Sequence, residues 1–453
     1  MDNPGTLKQT ISFEALGSGS LSDLLALEPP PFRTKQEAFD QLKYVEDYIR
    51  RPDLAPVTER CVAIESHYID RDFITDHSVL LSRNLDSPPN YCSRVHFFAS
   101  DPDNIERELR RLASLLHKGG DDAAKQFEKQ CHDFSVKHYL GFTVIRPLPA
   151  CRVGRTVLHL LPSEKKEDNS VRVMSCTRNY DVHFMGVQLT IRGLAFQQQD
   201  LGVSRCSTVA LWCALHKLHQ TEGVASPTPS EITRLASKDR LPFGRSMPSE
   251  GLAVDQMCLA VQLAGASPEL ARVGRFSQGR SLIYSATLSE MPSILIMERS
   301  DDKRVWHAVT VTGMKIKRIH EPFVVAGGDD LSADLKALYV HDDRIGPYRR
   351  AELVATHPTE LRVTINRKSH AEEGSPEDWI VHHVLVPTHP KIRINFNDLR
   401  FVTQKWLIPD IQKVVAGERG IQANDLPAVQ FKSWFVIERP KPATSGRLKT
   451  SQL

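Results

Sequence analysis

A thiol that attacks a carbonyl needs a base within hydrogen-bond reach, a third group to orient that base, and donors for the oxyanion. The sequence offers all of these types. Cys206 follows the loop DLGVSR and opens the run CSTVALWCALHKLHQ (206–220), with Ser207 and Thr208 suited to a first helical turn. A cysteine at a helix N-terminus is favoured as a nucleophile, because the dipole and unbonded N–H groups stabilise thiolate. His307 stands in VWHAVTVTG (305–313), where a polar ring within an apolar strand demands a partner. Asp342 stands near the end of YVHDD (339–343), where a carboxylate could hold the far nitrogen of His307, with Asp343 as the fallback because strand ends shift.

The elements that must position these residues change character along the chain. Residues 1–32 are rich in Gly, Ser and Pro and read as a leader with one short amphipathic segment near Leu21–Leu27. From Lys35 to Arg51 the spacing of Phe39, Leu42, Val45 and Ile49 predicts an amphipathic helix. Two more helices are expected over 103–117 and 121–132. Strands rich in β-branched residues then follow at 139–149, 153–162 and through 170–195. After Cys206 the apolar residues cover more than one face: Val209, Ala210 and Cys213 on one, Leu211, Leu215 and Leu218 on another. A helix of this kind is buried on most sides. Helices are expected at 230–237 and 248–263. Strands are expected at 293–299, 305–316 and 337–343, the first two joined as a hairpin by SDDK. A β-rich stretch over 359–405 precedes a polar basic tail. The expected fold class is α+β, with a buried helix facing an antiparallel sheet across a cleft. The expected divisions are a leader (1–32), an N-terminal α+β domain (33–190), a domain carrying the thiol (191–355), a β-rich extension of it (356–438) and a tail (439–453).

Composition bounds the function classes. At 453 residues, 41% hydrophobic and 25% charged, the chain is an ordinary globular one with room for two or three domains. A net charge of +3, with no basic stripe, calls for no nucleic-acid partner. No apolar run reaches the ~18 residues of a membrane helix, and the N-terminus lacks a secretory pattern. Eight scattered cysteines without CxxC suit a reducing compartment, so a cytoplasmic location is the expectation.

A cysteine opening a buried helix, the WHAVTVTG strand after a Pro-led strand and tight turn, and then YVHDD together resemble the papain-like cysteine peptidase superfamily. The spacing is closest to bacterial double-glycine peptidase-like domains, over about residues 195–350. The resemblance implies a papain-like core, Cys206 as nucleophile, His307 as base and Asp342 as orienter, without metal or cofactor. It also implies an upstream glutamine as oxyanion donor. In the relatives that glutamine precedes the cysteine by six positions. Here Asp200 fills that slot and Gln199 lies one further back, after Gln197 and Gln198.

Competing readings assign other residues to packing. Cys213 reads as core, and His216 and His219 as a solvated helix end. His341 with Asp342 and Asp343 is a weaker metal candidate, and His382 and His383 read as structural. Three functions share the site. The first is a cysteine peptidase or isopeptidase acting on a protein or peptide, with the N-terminal domain open to a protein partner. The second is a transglutaminase, deamidase or acyltransferase using the same triad. The third is an inactive peptidase-like binding or sensor module.

Overall fold

The structure, a computed structural model, describes residues 10–17, 21, 35–50, 60–79, 81–83, 87–115, 121–148, 151–160, 170–199, 205–237, 251–317, 331–354, 359–366, 376–391, 395–402 and 405–406. The fold class is α+β. The first unit contains β1 (Ile11–Ala15), α1 (Lys35–Ile49), β2 (Cys61–Tyr68), α2 (Arg71–Val79), β3 (Cys92–Phe98), α3 (Pro102–Leu115), α4 (Asp121–His138), β4 (Tyr139–Ile145) and β5 (Val153–Leu158). Its strands form one antiparallel sheet in chain order, β1-β2-β3-β4-β5. One face packs with Ile105, Leu109 and Leu112 of α3 and with Phe134 of α4. The other face meets Leu42, Val45 and Ile49 of α1. The expected 3.6-residue spacing of α1 is therefore the stripe that covers a sheet.

The chain continues through β6 (Ser170–Val173), the hairpin β7 (Arg178–Phe184) and β8 (Val187–Gly193), then α5 (Cys206–Glu222), α6 (Pro229–Ala236), α7 (Val254–Leu263), β9 (Ser267–Arg272) and α8 (Phe276–Leu288). It ends with β10 (Ile294–Arg299), β11 (Trp306–Lys317), β12 (Leu335–Asp342), β13 (Gly346–Val354), β14 (Leu361–Asn366), β15 (Pro376–Thr388) and α9 (Phe396–Val402). Strands β10 to β15 pair antiparallel in sequence order, and β15 pairs back onto β10, closing a six-stranded barrel. β6 joins beside β11, and β9 beside β15. The SDDK segment connects β10 to β11 as the expected hairpin. The β-rich stretch supplies β14 and β15, so those residues complete the barrel wall.

Strand alternation divides the barrel side chains. Leu295, Met297, Val309, Val311, Leu338, Val340, Val363, Trp379 and Val381 share one core with Leu282 and Ile283 of α8. Ile294, Ile296, Ala308 and Leu385 point to the outer side and share a core with α5. From Ser207 to Leu218, α5 is buried on all sides, as its apolar distribution predicts. The Thr310 hydroxyl donates to the Ala210 carbonyl at 2.8 Å, pinning helix against barrel. The expected helix over 248–263 begins only at Val254, because Gly251, at φ +125°, lies in a left-handed conformation that a helix cannot use.

The two units meet where α1 touches the β12–β13 turn. Gly346 has φ +117°, and an added Cβ would lie 2.9–3.1 Å from the Tyr44 ring. Both the backbone and the space therefore require glycine. Gly346→Ala is expected to destabilise the chain by about 1–3 kcal/mol, read as a lower chemical-denaturation midpoint. An unchanged midpoint would show that the turn and Tyr44 do not press on each other.

Candidate thiol site

The geometry starts from α5. Cys206 is its first residue and is partly exposed. The helix ladder begins with the Val209 N–H donating to the Arg205 carbonyl at 2.9 Å. The N–H groups of the first turn therefore point away from the ladder, as donors for an anion. Ser207 braces this turn, its hydroxyl accepting from the Leu252 N–H at 2.9 Å.

His307 stands at the start of β11 and is buried. Ala308 and Thr310 face the helix, whereas His307 shares its side of the strand with Val309 and Val311 and looks toward the barrel core. It reaches the nucleophile because it lies at the strand end, level with the start of α5. The Cys206 thiol lies close enough to the His307 ring to help hold the ring's proton. On its other side, His307 Nε2 lies 3.0 Å from Asp342 Oδ1 and 3.5 Å from Asp343 Oδ1. Sulfur, imidazole and carboxylate, from three distant parts of the sequence, form one chain of contacts.

Two residues that the sequence reading did not single out complete the surroundings. Arg344 donates its backbone N–H to Asp342 Oδ1 at 3.0 Å, and its guanidinium lies 3.4 Å from Asp342 Oδ2 and 3.1 Å from Glu377. Arg344 Nε is also 3.2 Å from His307 Nε2. One nitrogen cannot donate to Asp342 and accept from Arg344 at once. The adjoining carboxylates favour the proton on Nε2, which leaves Nδ1 for the thiol. Trp379 lies against the His307 ring, with centroids 5.5 Å apart at 44°, and carries the Arg344 guanidinium 5.0 Å from its own centroid. The signal for Arg344 was present in the sequence as a cation directly after two acids in a turn. Trp379 had no local signal, since only barrel closure brings β15 to this place.

The electrostatics follow from burial and charge. Burial alone would lower the His307 pKa. The charge and hydrogen bond of Asp342, the hydrogen bond to Cys206 and the charge of Asp343 outweigh it and raise the imidazole to about 10. Burial pushes Asp342 up, but His307 and Arg344 overcome it and hold this carboxyl well below its usual range. Asp343 goes the other way, raised to about 7 mainly by burial and by the Asp342 charge, with His307 and Arg344 opposing. A carboxyl that binds its proton more tightly when folded favours folding at low pH, and this contribution is lost as pH rises from about 4 through about 7. Asp343→Asn is therefore expected to melt higher than the parent at pH 8, with the gap closing near pH 4. A lower melting point for the variant at pH 8 would contradict the assignment.

Among the described residues, His307, Asp342 and Asp343 are the group whose potential ligand atoms all lie within 4.8 Å of one another. The Arg344 guanidinium beside them already supplies positive charge and works against a cation there. His341, weighed with Asp342 and Asp343 as a metal set, turns away from them. Its Nε2 is 3.1 Å from the Leu194 carbonyl, and its Nδ1 accepts from the Tyr348 N–H at 3.2 Å.

Of the three glutamines, Gln198 is committed to β5, its Oε1 accepting from the Val153 N–H at 3.3 Å. Gln197 is buried, with its backbone N–H on the Cys213 thiol. Gln199 is half-buried and makes no hydrogen bond among the described residues; residues 200–204 lie outside them. The structure thus brings Cys206, His307, Asp342 and Asp343 together.

His216 corrects the expectation of a solvated helix end. It is 5% exposed, packed edge-on to Trp212 at 4.3 Å, and burial holds it well below its ordinary pKa. The apolar envelope of α5 extends one turn further than its polar residues suggested. His219 does reach a helix-end partner, with Nδ1 2.7 Å from the Val224 carbonyl.

The outer row of the barrel that touches α5 at Thr310 and Ala308 continues to Trp306, which is 50% exposed and stacks on His382 at 5.0 Å. His382 is in turn 2.6 Å from Glu298, the register partner of Trp306. An exposed aromatic shelf therefore lies just past the start of the helix that carries Cys206. Among the described residues, no helix is long and apolar enough to cross a membrane. Compared with protein-family models and with curated proteins, the sequence matches none.

Proposed function

We propose that this chain is a papain-like cysteine hydrolase that cleaves a peptide or isopeptide bond through an acyl-enzyme on Cys206. The observation that carries the reading is the contact chain Cys206–His307–Asp342, with the thiol on the first turn of a helix. Proton transfer from Cys206 to His307 yields a thiolate facing an imidazolium. Asp342 stabilises that imidazolium while its own charge is held by Arg344.

The thiolate attacks the carbonyl carbon, and the oxyanion is met by N–H groups of the α5 first turn, with Gln199 as the side-chain candidate. His307 gives its proton to the departing amine as the C–N bond breaks. The same imidazole then takes a proton from water, which cleaves the thioester and frees the thiol. The route needs no metal or cofactor. The partner is a protein or peptide chain, the location that suits a free thiol is the cytoplasm, and the N-terminal sheet unit is open to a protein partner.

Trp306 offers apolar surface to a side chain flanking the scissile bond. The test is a peptide library digested by the full chain and read by mass spectrometry. New termini are expected with the parent and none with Cys206→Ala. Trp306→Ala is expected to raise KM about 10-fold while leaving kcat nearly unchanged. Cleavage that persists in Cys206→Ala would refute the assignment.

A further inference from the structure

Resting on the reading of Cys206 and His307 as a reacting pair, we propose that Asp343 is a second positioning residue for the imidazole, able to accept the Nε2–H hydrogen bond in place of Asp342. The case begins with what each carboxylate already does. Asp342 is fully engaged: Oδ1 takes His307 and the Arg344 N–H, and Oδ2 faces the Arg344 guanidinium. Asp343 is 2% exposed, and neither of its oxygens has a hydrogen-bond partner in another residue among the described ones. Burying a carboxylate without donors is costly, so this group holds its proton to about neutral pH and, once ionised, needs a cation to face. Its nearest ion partner is His307 Nε2 at 3.5 Å, only slightly beyond the Asp342 contact.

Consecutive residues of a strand point to opposite faces. These two acids converge because β12 ends at Asp342 and Asp343 already belongs to the turn, which the Ile345 N–H closes onto the Asp342 carbonyl at 3.1 Å. The titratable groups whose charge bears on Asp343 are His307 from β11, Asp342 from β12 and Arg344 from the turn, with Tyr44 from α1 and Cys213 from α5 feeling its charge in turn. Glu377 of β15 lies on the far side of Arg344. His307 and Arg344 are the two cations in this set, and Arg344 is spoken for by Asp342 and Glu377. The imidazole is therefore the group that Asp343 is placed to serve. Two carboxylates around one N–H keep the ring oriented if either contact loosens as the substrate enters.

The test uses the full chain and site-resolved alkylation of Cys206 by iodoacetamide as a function of pH, so no substrate is required. Asp342→Asn is expected to slow alkylation at pH 6 by about 10-fold or less. The double variant with Asp343→Asn is expected to slow it about 100-fold, to the level of His307→Ala. Asp343→Asn alone is expected to shift the profile only above about pH 7, where the parent's Asp343 is ionised and one anion that favours imidazolium is then gone. That shift is a readout a merely structural role would not produce, and it decides the matter even if Asp342→Asn fails to fold. The inference is overturned if Asp342→Asn alone already matches His307→Ala and Asp343→Asn leaves the profile where the parent has it. If the parent and His307→Ala alkylate alike at every pH, the reacting pair itself fails and this inference falls with it.

Discussion

His307→Ala is expected to slow the proposed peptide cleavage by about 10²–10⁴-fold, the range supplied by a positioned general acid–base. In the proposed mechanism the ring does three things: it accepts the Cys206 proton, holds a charge against Asp342, and delivers a proton to the leaving amine. Alanine removes all three and also leaves Asp342 and Asp343 buried around Arg344 without the second cation. His307→Gln is the useful companion, since it keeps a donor for the carboxylates but cannot cycle a proton. Both variants are expected to be similarly inactive, with the glutamine form the more stable. Cleavage by either at more than about a tenth of the parent rate would remove His307 from the mechanism.

Trp379→Ala is expected to cost about 3–5 kcal/mol of stability, the range for truncating a buried tryptophan. The ring is fully buried inside the barrel, where it touches His307 on one side and carries Arg344 over its face. Its loss opens a cavity and frees two charged side chains that it holds in place. Set against a typical total of ~5–15 kcal/mol, that effect is large. Chemical denaturation measures it directly. Trp379→Phe is expected to recover more than half, because an aromatic face remains for both neighbours and the indole N–H has no hydrogen-bond partner among the described residues. An alanine variant within about 1 kcal/mol of the parent would mean that the tryptophan neither fills the barrel nor braces the base.

How much of this was legible in the sequence differs by residue. Cys206 was readable because its neighbours describe a helix apolar all round, and such a helix must begin at a defined place. His307 was readable because a ring stood at the edge of a strand whose other members are apolar or hydroxylic. Its direction was not, since alternation tells which residues share a face but not which face meets the helix. Asp342 and Asp343 could not be separated, because the distinction depends on where β12 stops and the turn begins. Trp379 and Glu377 were out of reach for a topological reason: β15 comes to the site only by pairing with β10, some eighty positions earlier in the chain.

The first unit shows the same limit. Strands 61–68 and 92–98 and helix 71–79 gave no clean period, since the strands are buried on both faces and the short helix buries Asp72 and Asp76. Its sheet is assembled from segments that α1, α3 and α4 cover from two sides, and a strand so covered loses its alternation. Helix 276–288 was equally hidden, because Gly279 interrupts it where its Cβ would strike Val273 and Leu361.

The central claim is that the thiol of Cys206 and the ring of His307 act as an ion pair. Six of the other cysteines, Cys61, Cys92, Cys131, Cys176, Cys213 and Cys258, have their thiols pushed up by burial and stay protonated at pH 6. One experiment isolates the pair: brief iodoacetamide treatment of the folded chain at pH 6, with the modified cysteine identified by peptide mass. Cys206 is expected to carry the label about 100-fold faster than a free thiol (pKa ~8.5) allows at that pH, and His307→Ala is expected to erase the difference. Labelling of Cys206 at the free-thiol rate in the parent, unchanged by His307→Ala, would contradict the account.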